Sequence, residues 1–168
     1  MKKTLAITVY NEPGVLARIS TVFSGRGFNM ESIVVGPTEK TGVSRITIVL
    51  PGNDQTIDQI IKQLNKLVQI IEVKDVTFRP CVERELMLIK IQAKPNIRSE
   101  IIEITEIFKA RIVDISDISL TLEVTGDPGK IVTIQELLKR YTILEIARTG
   151  KISLERELGI NSEFIKNL

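Results

Sequence analysis

Apolar residues along this chain switch between a period of two and a helical period, and the order of the switches occurs twice. Leu5, Ile7 and Val9 alternate with Ala6, Thr8 and Tyr10, which predicts a strand with one apolar face. Asn11-Glu12-Pro13-Gly14 interrupts it. Val15, Leu16, Ile19, Val22 and Phe23 then fall at helical spacing, with Asn11 as a candidate N-cap, Pro13 suited to a first turn and Gly25-Arg26-Gly27 as a stop. Phe28 to Val35 and Val43 to Leu50 read as strands joined by a hairpin loop, Gly36 to Gly42. Pro51-Gly52-Asn53-Asp54 is a turn whose aspartate suits a cap for a helix carrying Ile57, Ile60, Ile61, Leu64 and Leu67. Ile70 to Phe78 closes the set, with Ile71, Val73 and Val76 as its inward residues. The order is β-α-β-β-α-β, the ferredoxin-like unit in which two helices cover one face of a four-stranded antiparallel sheet.

The second half repeats that order without obvious identity. Strands are predicted at Leu86 to Ala93, Ile112 to Ile115, Ile118 to Val124 and Ile143 to Ala147. One helix is expected over Asn96 to Lys109, with Ile97, Ile101, Ile104, Ile107 and Phe108 on its apolar side. Asp127-Pro128-Gly129 opens another, carrying Ile131, Ile134, Leu137 and Leu138. Residues after Gly150 read as polar, with a short helix towards the end. The expectation is an α+β protein with two ferredoxin-like βαββαβ domains in tandem, 1–80 and 81–158, followed by a tail at 159–168. Domains of about 80 residues are marginal alone. Each sheet is expected to need a partner for the face its helices leave open.

Composition removes several function classes. A net charge of +2 is too small to suggest a nucleic-acid or membrane surface as partner. No stretch reaches the roughly 18 apolar residues of a membrane span. The start, Met1 to Tyr10, has signal-like lysines, yet it alternates like a strand and no small-residue cleavage site follows. The absence of histidine removes the commonest general base, the commonest metal ligand and every Ser-His or Cys-His nucleophile. No paired carboxylates stand out, so no catalytic residue and no metal ligand is assigned. The single cysteine, Cys81, forms no internal disulfide and reads as a linker or partly buried thiol.

The loops carry what specificity there is. Asn11 to Gly14 leads from a strand end into a helix N-terminus, where unpaired N–H groups and the helix dipole favour an anion such as an amino-acid carboxylate. Gly14 lets a ligand approach the backbone. Asn11 and Asn29 offer side-chain amides, and Ile33 and Val35 an apolar wall. On composition alone a capped helix with a turn glycine explains this loop better than a site does. Gly25-Arg26-Gly27 follows a helix rather than a strand and is no dinucleotide fingerprint. Asp127 to Lys130 echoes the first loop but reads first as a helix start. Glu83-Arg84-Glu85 reads as a solvated strand entry, with partner docking as the alternative.

Longer stretches carry a family likeness. Asn11-Glu12-Pro13-Gly14-Val15-Leu16-Ala17-Arg18-Ile19, Phe23 to Ile33 with Asn29-Met30-Glu31-Ser32 at its end, and Ser44 to Val49 resemble the ACT domain of the small subunit of acetolactate synthase (acetohydroxyacid synthase). Val82-Glu83-Arg84-Glu85-Leu86, Thr105 to Asp114, Thr125 to Ile131 and Glu145 to Gly150 resemble that family's second domain. The likeness covers about 150 residues. Ile104 departs from it, standing where an asparagine is common.

The resemblance implies a regulatory subunit of branched-chain amino acid biosynthesis without catalysis of its own. It implies activation of a large catalytic subunit, feedback inhibition by valine, and a homodimer through the ACT domains. Thiamine diphosphate, magnesium and FAD are expected in the large subunit and no cofactor in this chain. Carried over by position, Asn11 and Gly14 hold the amino acid's polar end, and Val15 belongs to the same loop. Leu16, Ile33 and Val35 line the side-chain pocket, and Asn29 reaches in across the dimer interface. A bacterial cytoplasm or a plastid stroma is the implied compartment. Two other readings compete. A free-standing ACT-domain sensor would not need the Glu83-Arg84-Glu85 junction, and co-purification with a large thiamine-dependent subunit separates it. An enzyme of ferredoxin-like fold is disfavoured by the missing histidine.

Overall fold

The computed structural model describes residues 1–157. The chain divides into two compact units, Met1–Val82 together with the segment from Ile152, and Glu83–Lys151.

In the first unit the elements are β1 (Lys2–Tyr10), α1 (Val15–Ser24), β2 (Ser32–Pro37), β3 (Val43–Pro51), α2 (Asp54–Leu64) and β4 (Ile70–Asp75). The strands form an antiparallel sheet in the order β2-β3-β1-β4, so β2 and β4 are edges. Leu5 faces Ile48 across β1 and β3, and Ile7 faces Ile46. These pairs point towards the helices and pack with Val15, Ile19 and Phe23 of α1 and Ile57, Ile60 and Leu64 of α2. At full burial each such side chain contributes about 1.5–3 kcal/mol.

The opposite face of β1 and β3 was expected to await a partner. Instead Thr4, Ala6, Thr47 and Val49 are buried within this chain. On that face the Arg45 guanidinium donates to the Ser153 carbonyl at 2.7 Å. Ser153 lies in a further strand, β9 (Ile152–Glu155), where a polar tail was expected. Its pattern did not stand out in sequence because it is short and inverted: Ser153 is buried while Ile152 and Leu154 are exposed.

In the second unit the elements are β5 (Cys81–Gln92), α3 (Arg98–Ile107), β6 (Arg111–Ile115), β7 (Ser119–Gly126), α4 (Pro128–Leu138) and β8 (Ile143–Arg148). The strand order is β6-β7-β5-β8, and β9 pairs with β5, whose first two residues belong to the first unit. Met87, Ile89 and Ile91 meet Leu120, Leu122 and Val124 under Ile101 of α3 and Ile131, Ile134 and Leu138 of α4.

Several expectations change. β2 begins at Ser32 rather than Phe28, because Phe28 and Met30 pack against the core from the connecting coil. Ile71 was expected inward and is exposed. The β1–β4 register runs Val9 opposite Ile70 and Thr8 opposite Glu72, so Ile71 is skipped as a bulge. Helix α3 ends at Ile107, which is exposed, and Lys109 turns the chain out at φ 52°. Leu137 is likewise exposed on α4. β5 starts at Cys81, so of the two readings the partly buried thiol holds and the linker does not. Glu83-Arg84-Glu85 is solvated only in part: Arg84 is exposed, but its neighbours are not. Glu85 is buried and accepts from the Arg148 guanidinium at 2.7 and 3.0 Å, which pushes the Arg148 pKa up. Glu83 pairs with Lys151 at 3.1 Å. The expected tail at 159–168 and its short helix lie outside the described residues.

Helix starts differ in kind. α2 is capped by Asn53, not Asp54: the Asn53 side chain accepts from the Thr56 N–H at 2.9 Å. Asn53→Ala is expected to cost about 1 kcal/mol, read as a lower urea midpoint at unchanged slope. α4 is capped by Asp127 with Pro128 in the first turn, as expected. α1 has no side-chain cap at all.

Candidate ligand-binding site

The uncapped start of α1 is built from a strand end that is held on both sides. The Tyr10 N–H donates to the Gln69 carbonyl at 2.9 Å, and the Asn11 N–H donates to the Gly42 carbonyl at 2.8 Å. Gln69 and Gly42 therefore position the loop. Neither stood out in sequence, since a main-chain carbonyl leaves no mark on residue type. The Glu12 N–H turns back to the Tyr10 carbonyl at 2.9 Å, and the Val15 N–H donates to the Glu12 carbonyl at 3.3 Å.

Gly14, rather than Asn11, is the N-cap residue, and Pro13 precedes the helix instead of opening it. Gly14 takes φ 83°, the left-handed region that glycine enters without strain. The first helical bond runs from the Arg18 N–H to the Gly14 carbonyl at 3.1 Å. Among the described residues, the N–H groups of Leu16 and Ala17 have no acceptor. A Cβ built on Gly14 would meet nothing within 4 Å, so the space beside the N-cap is open. Open N–H donors at the positive end of a helix suit a carboxylate.

The other predicted residues fall in three places. Leu16 is exposed on the first turn of α1, whereas the Val15 side chain is buried in the core and presents only its main chain. Ile33 and Val35 lie on edge strand β2, opposite the fully buried Ile48 and Ile46. They therefore occupy the helix-covered face of the sheet, at its open rim, where they are 36% and 48% exposed. Asn29 is exposed in the coil before β2 and makes no side-chain hydrogen bond among the described residues.

Register shows which of these come together. β2 runs in the same direction as β1, since each is antiparallel to β3. Ser32 is level with Val49 and Thr4, while the Asn11 loop follows Tyr10 at the other end of β1. Six residues at about 3.3 Å each separate those levels, so Asn29 lies about 20 Å or more from the loop in the same chain. One chain brings Asn11, Gly14 and Leu16 together. It does not bring Asn29 to them.

A family model for the small subunit of acetolactate synthase matches residues 84–157, and a model described as the AHAS small subunit-like ACT domain matches residues 5–72. The chain is 51% identical over 156 residues to a probable acetolactate synthase small subunit of Archaeoglobus fulgidus, covering 93% of this chain and 98% of that one. It is 46% identical over 163 residues to the chloroplastic acetolactate synthase small subunit 2 of Arabidopsis thaliana, covering 97% of this chain but 34% of the plant protein. The crystal structure of the acetolactate synthase small subunit from Thermotoga maritima superposes with a TM-score of 0.84 at 37% identity, covering 93% of this chain and 98% of that one. With both halves matched and the tandem fold shared, the chain belongs to the family of acetolactate synthase small subunits.

Proposed function

We infer that this chain is the regulatory subunit of an acetolactate synthase in branched-chain amino acid biosynthesis. It docks on the large catalytic subunit, raises its activity and makes it sensitive to valine. Catalysis belongs to the large subunit, and this reading places thiamine diphosphate, magnesium and FAD there. The compartment that fits is a bacterial cytoplasm or a plastid stroma.

The observation that carries the effector part is the separation of Asn29 from the Asn11 loop. Pairing β2 antiparallel with the β2 of a second copy reverses the strand direction. Asn29 of the second copy then arrives at the end of the sheet where Asn11 and Gly14 lie. A free amino acid fits such a composite site. Its carboxylate meets the open N–H groups of Leu16 and Ala17, the two asparagine amides hold its polar end, and Leu16, Ile33 and Val35 enclose its side chain. A ligand held between copies stabilises one arrangement of the pair over another, and so biases contacts to the catalytic subunit. Selection among aliphatic side chains is limited, since one methylene is worth about 1–3 kcal/mol in such a pocket.

Calorimetry of the chain with valine, leucine and isoleucine tests this. Valine is expected to bind with measurable heat, and Asn29→Ala to weaken it about tenfold, the loss of roughly one hydrogen bond to a charged group. No heat with any of the three would leave an assembly subunit and remove the effector site.

A further inference from the structure

β6 is exposed along its whole length, unlike any other strand of the described residues. Ile112, Val113 and Ile115 are 40%, 52% and 61% exposed. It is an edge strand, in the same place in the second sheet that β2 has in the first. Edge strands are ordinarily blunted by short length, charge, proline or a bulge, which disfavour unspecific pairing. β6 reads Arg111-Ile112-Val113-Asp114-Ile115, short, without proline, and with one charge of each sign.

Its register with β7 is the informative feature. Arg111 is opposite Glu123, Ile112 opposite Leu122, and Asp114 opposite Thr121, so Val113 is skipped as a bulge. In a regular strand, residues three apart point to opposite faces. The bulge puts Arg111 and Asp114 on the same face, the one away from the buried Leu120 and Leu122. Neither charge has an ion-pair partner among the described residues. Set antiparallel to its own copy, with the axis between Ile112 and Val113, the strand is self-complementary. Arg111 stands opposite Asp114 twice, and Ile112 opposite Val113 twice.

We propose that β6 is a seam between two copies of this chain, paired antiparallel about that axis, with the Arg111 guanidinium of each copy meeting the Asp114 carboxylate of the other. Charge matched to its own reverse fits a second copy rather than an unrelated surface. Two five-residue strands bury less than the roughly 1,200–2,000 Å² of a stable interface, so the seam adds to another contact between copies and does not hold an assembly alone. It uses no residue of the Asn11 loop, and it stands whether or not the chain binds an amino acid.

Sedimentation of the full-length chain tests it by charge reversal. Arg111→Asp and Asp114→Arg each turn two opposite-charge pairs into like-charge pairs, and each is expected to weaken self-association about tenfold. The double reversal restores the matched pairs and is expected to restore association to the wild-type level. Ile112→Lys with Ile115→Lys is expected to weaken association without changing the circular dichroism spectrum, because both side chains are exposed. Association unchanged in the single reversals overturns the seam. So does loss in the singles without rescue in the double, which means that the strand meets some surface other than itself. Valine heats measured on the same samples report separately on the effector site: their absence with the seam intact removes that reading and leaves this one.

Discussion

An enzyme reconstituted from the large subunit and the Gly14→Asp small subunit is expected to stay active while needing at least about tenfold more valine for half-inhibition, a loss of about 1.4 kcal/mol in effector binding. A side chain at Gly14 finds open space, so the substitution makes no clash within the chain itself. Two effects remain. At φ 83° any residue but glycine carries strain, about 1–2 kcal/mol in general and least for Asn and Asp. The second effect is charge. The new carboxylate stands beside the open N–H groups of α1 and takes the place electrostatics reserves for the ligand's own carboxylate. Gly14→Asn has nearly the same shape and strain without the charge, and is expected to keep most of the valine response. Inhibition curves for Gly14→Asp that coincide with wild type would remove the loop from the site.

Ile48→Ala is expected to lower the stability of the first unit by about 2–5 kcal/mol, against less than about 1 kcal/mol for Ile33→Ala. The two residues are cross-strand neighbours on one face of the sheet. Ile48 sits on inner strand β3 with no exposed surface, between Leu5 and Ile33 and beneath the helices. Its truncation leaves a cavity that the close-packed neighbours do not fill. Ile33 is on the edge and 36% exposed, so truncation there removes little buried surface. Urea unfolding followed at the first transition reads both, because a chain of two units need not unfold in one step. Equal losses at the two positions would place Ile33 in the core and take it out of the ligand wall. If Ile33→Ala weakens valine heats while leaving the urea midpoint near wild type, binding and stability are separated at that residue.

What sequence periodicity revealed and what it missed follow a pattern. The βαββαβ order was legible twice, because strands buried on a helix-covered face must place an apolar residue at every second position. Leu5, Ile7 and Val9 do so, as do Ile46, Ile48 and Leu50, and Met87, Ile89 and Ile91. Errors gathered where a residue's surroundings come from distant parts of the chain. Ile71 was misplaced by a bulge against β1, and Glu85 was taken for a solvated charge although Arg148, far along the chain, makes it a buried one. β9 was too short to show a period. Asn11 looked like a cap by residue type, but its N–H is committed to Gly42, and the cap position passed to Gly14.

The loop shows the same division at the candidate site. By itself the sequence determined the two-domain α+β architecture, because apolar period is a local property, and it carried the family likeness that implies Asn11, Gly14, Leu16, Asn29, Ile33 and Val35 as site candidates. Only the tertiary structure decided that Val15 belongs to the core, that the α1 N–H groups stand open, and that Asn29 lies at the far end of the sheet from Asn11. It also decided that a bulge brings Arg111 and Asp114 to one face. The physical reason is common to all four. Burial, direction and register are set by what a strand or helix packs against, and those neighbours are supplied by chain folded back from elsewhere.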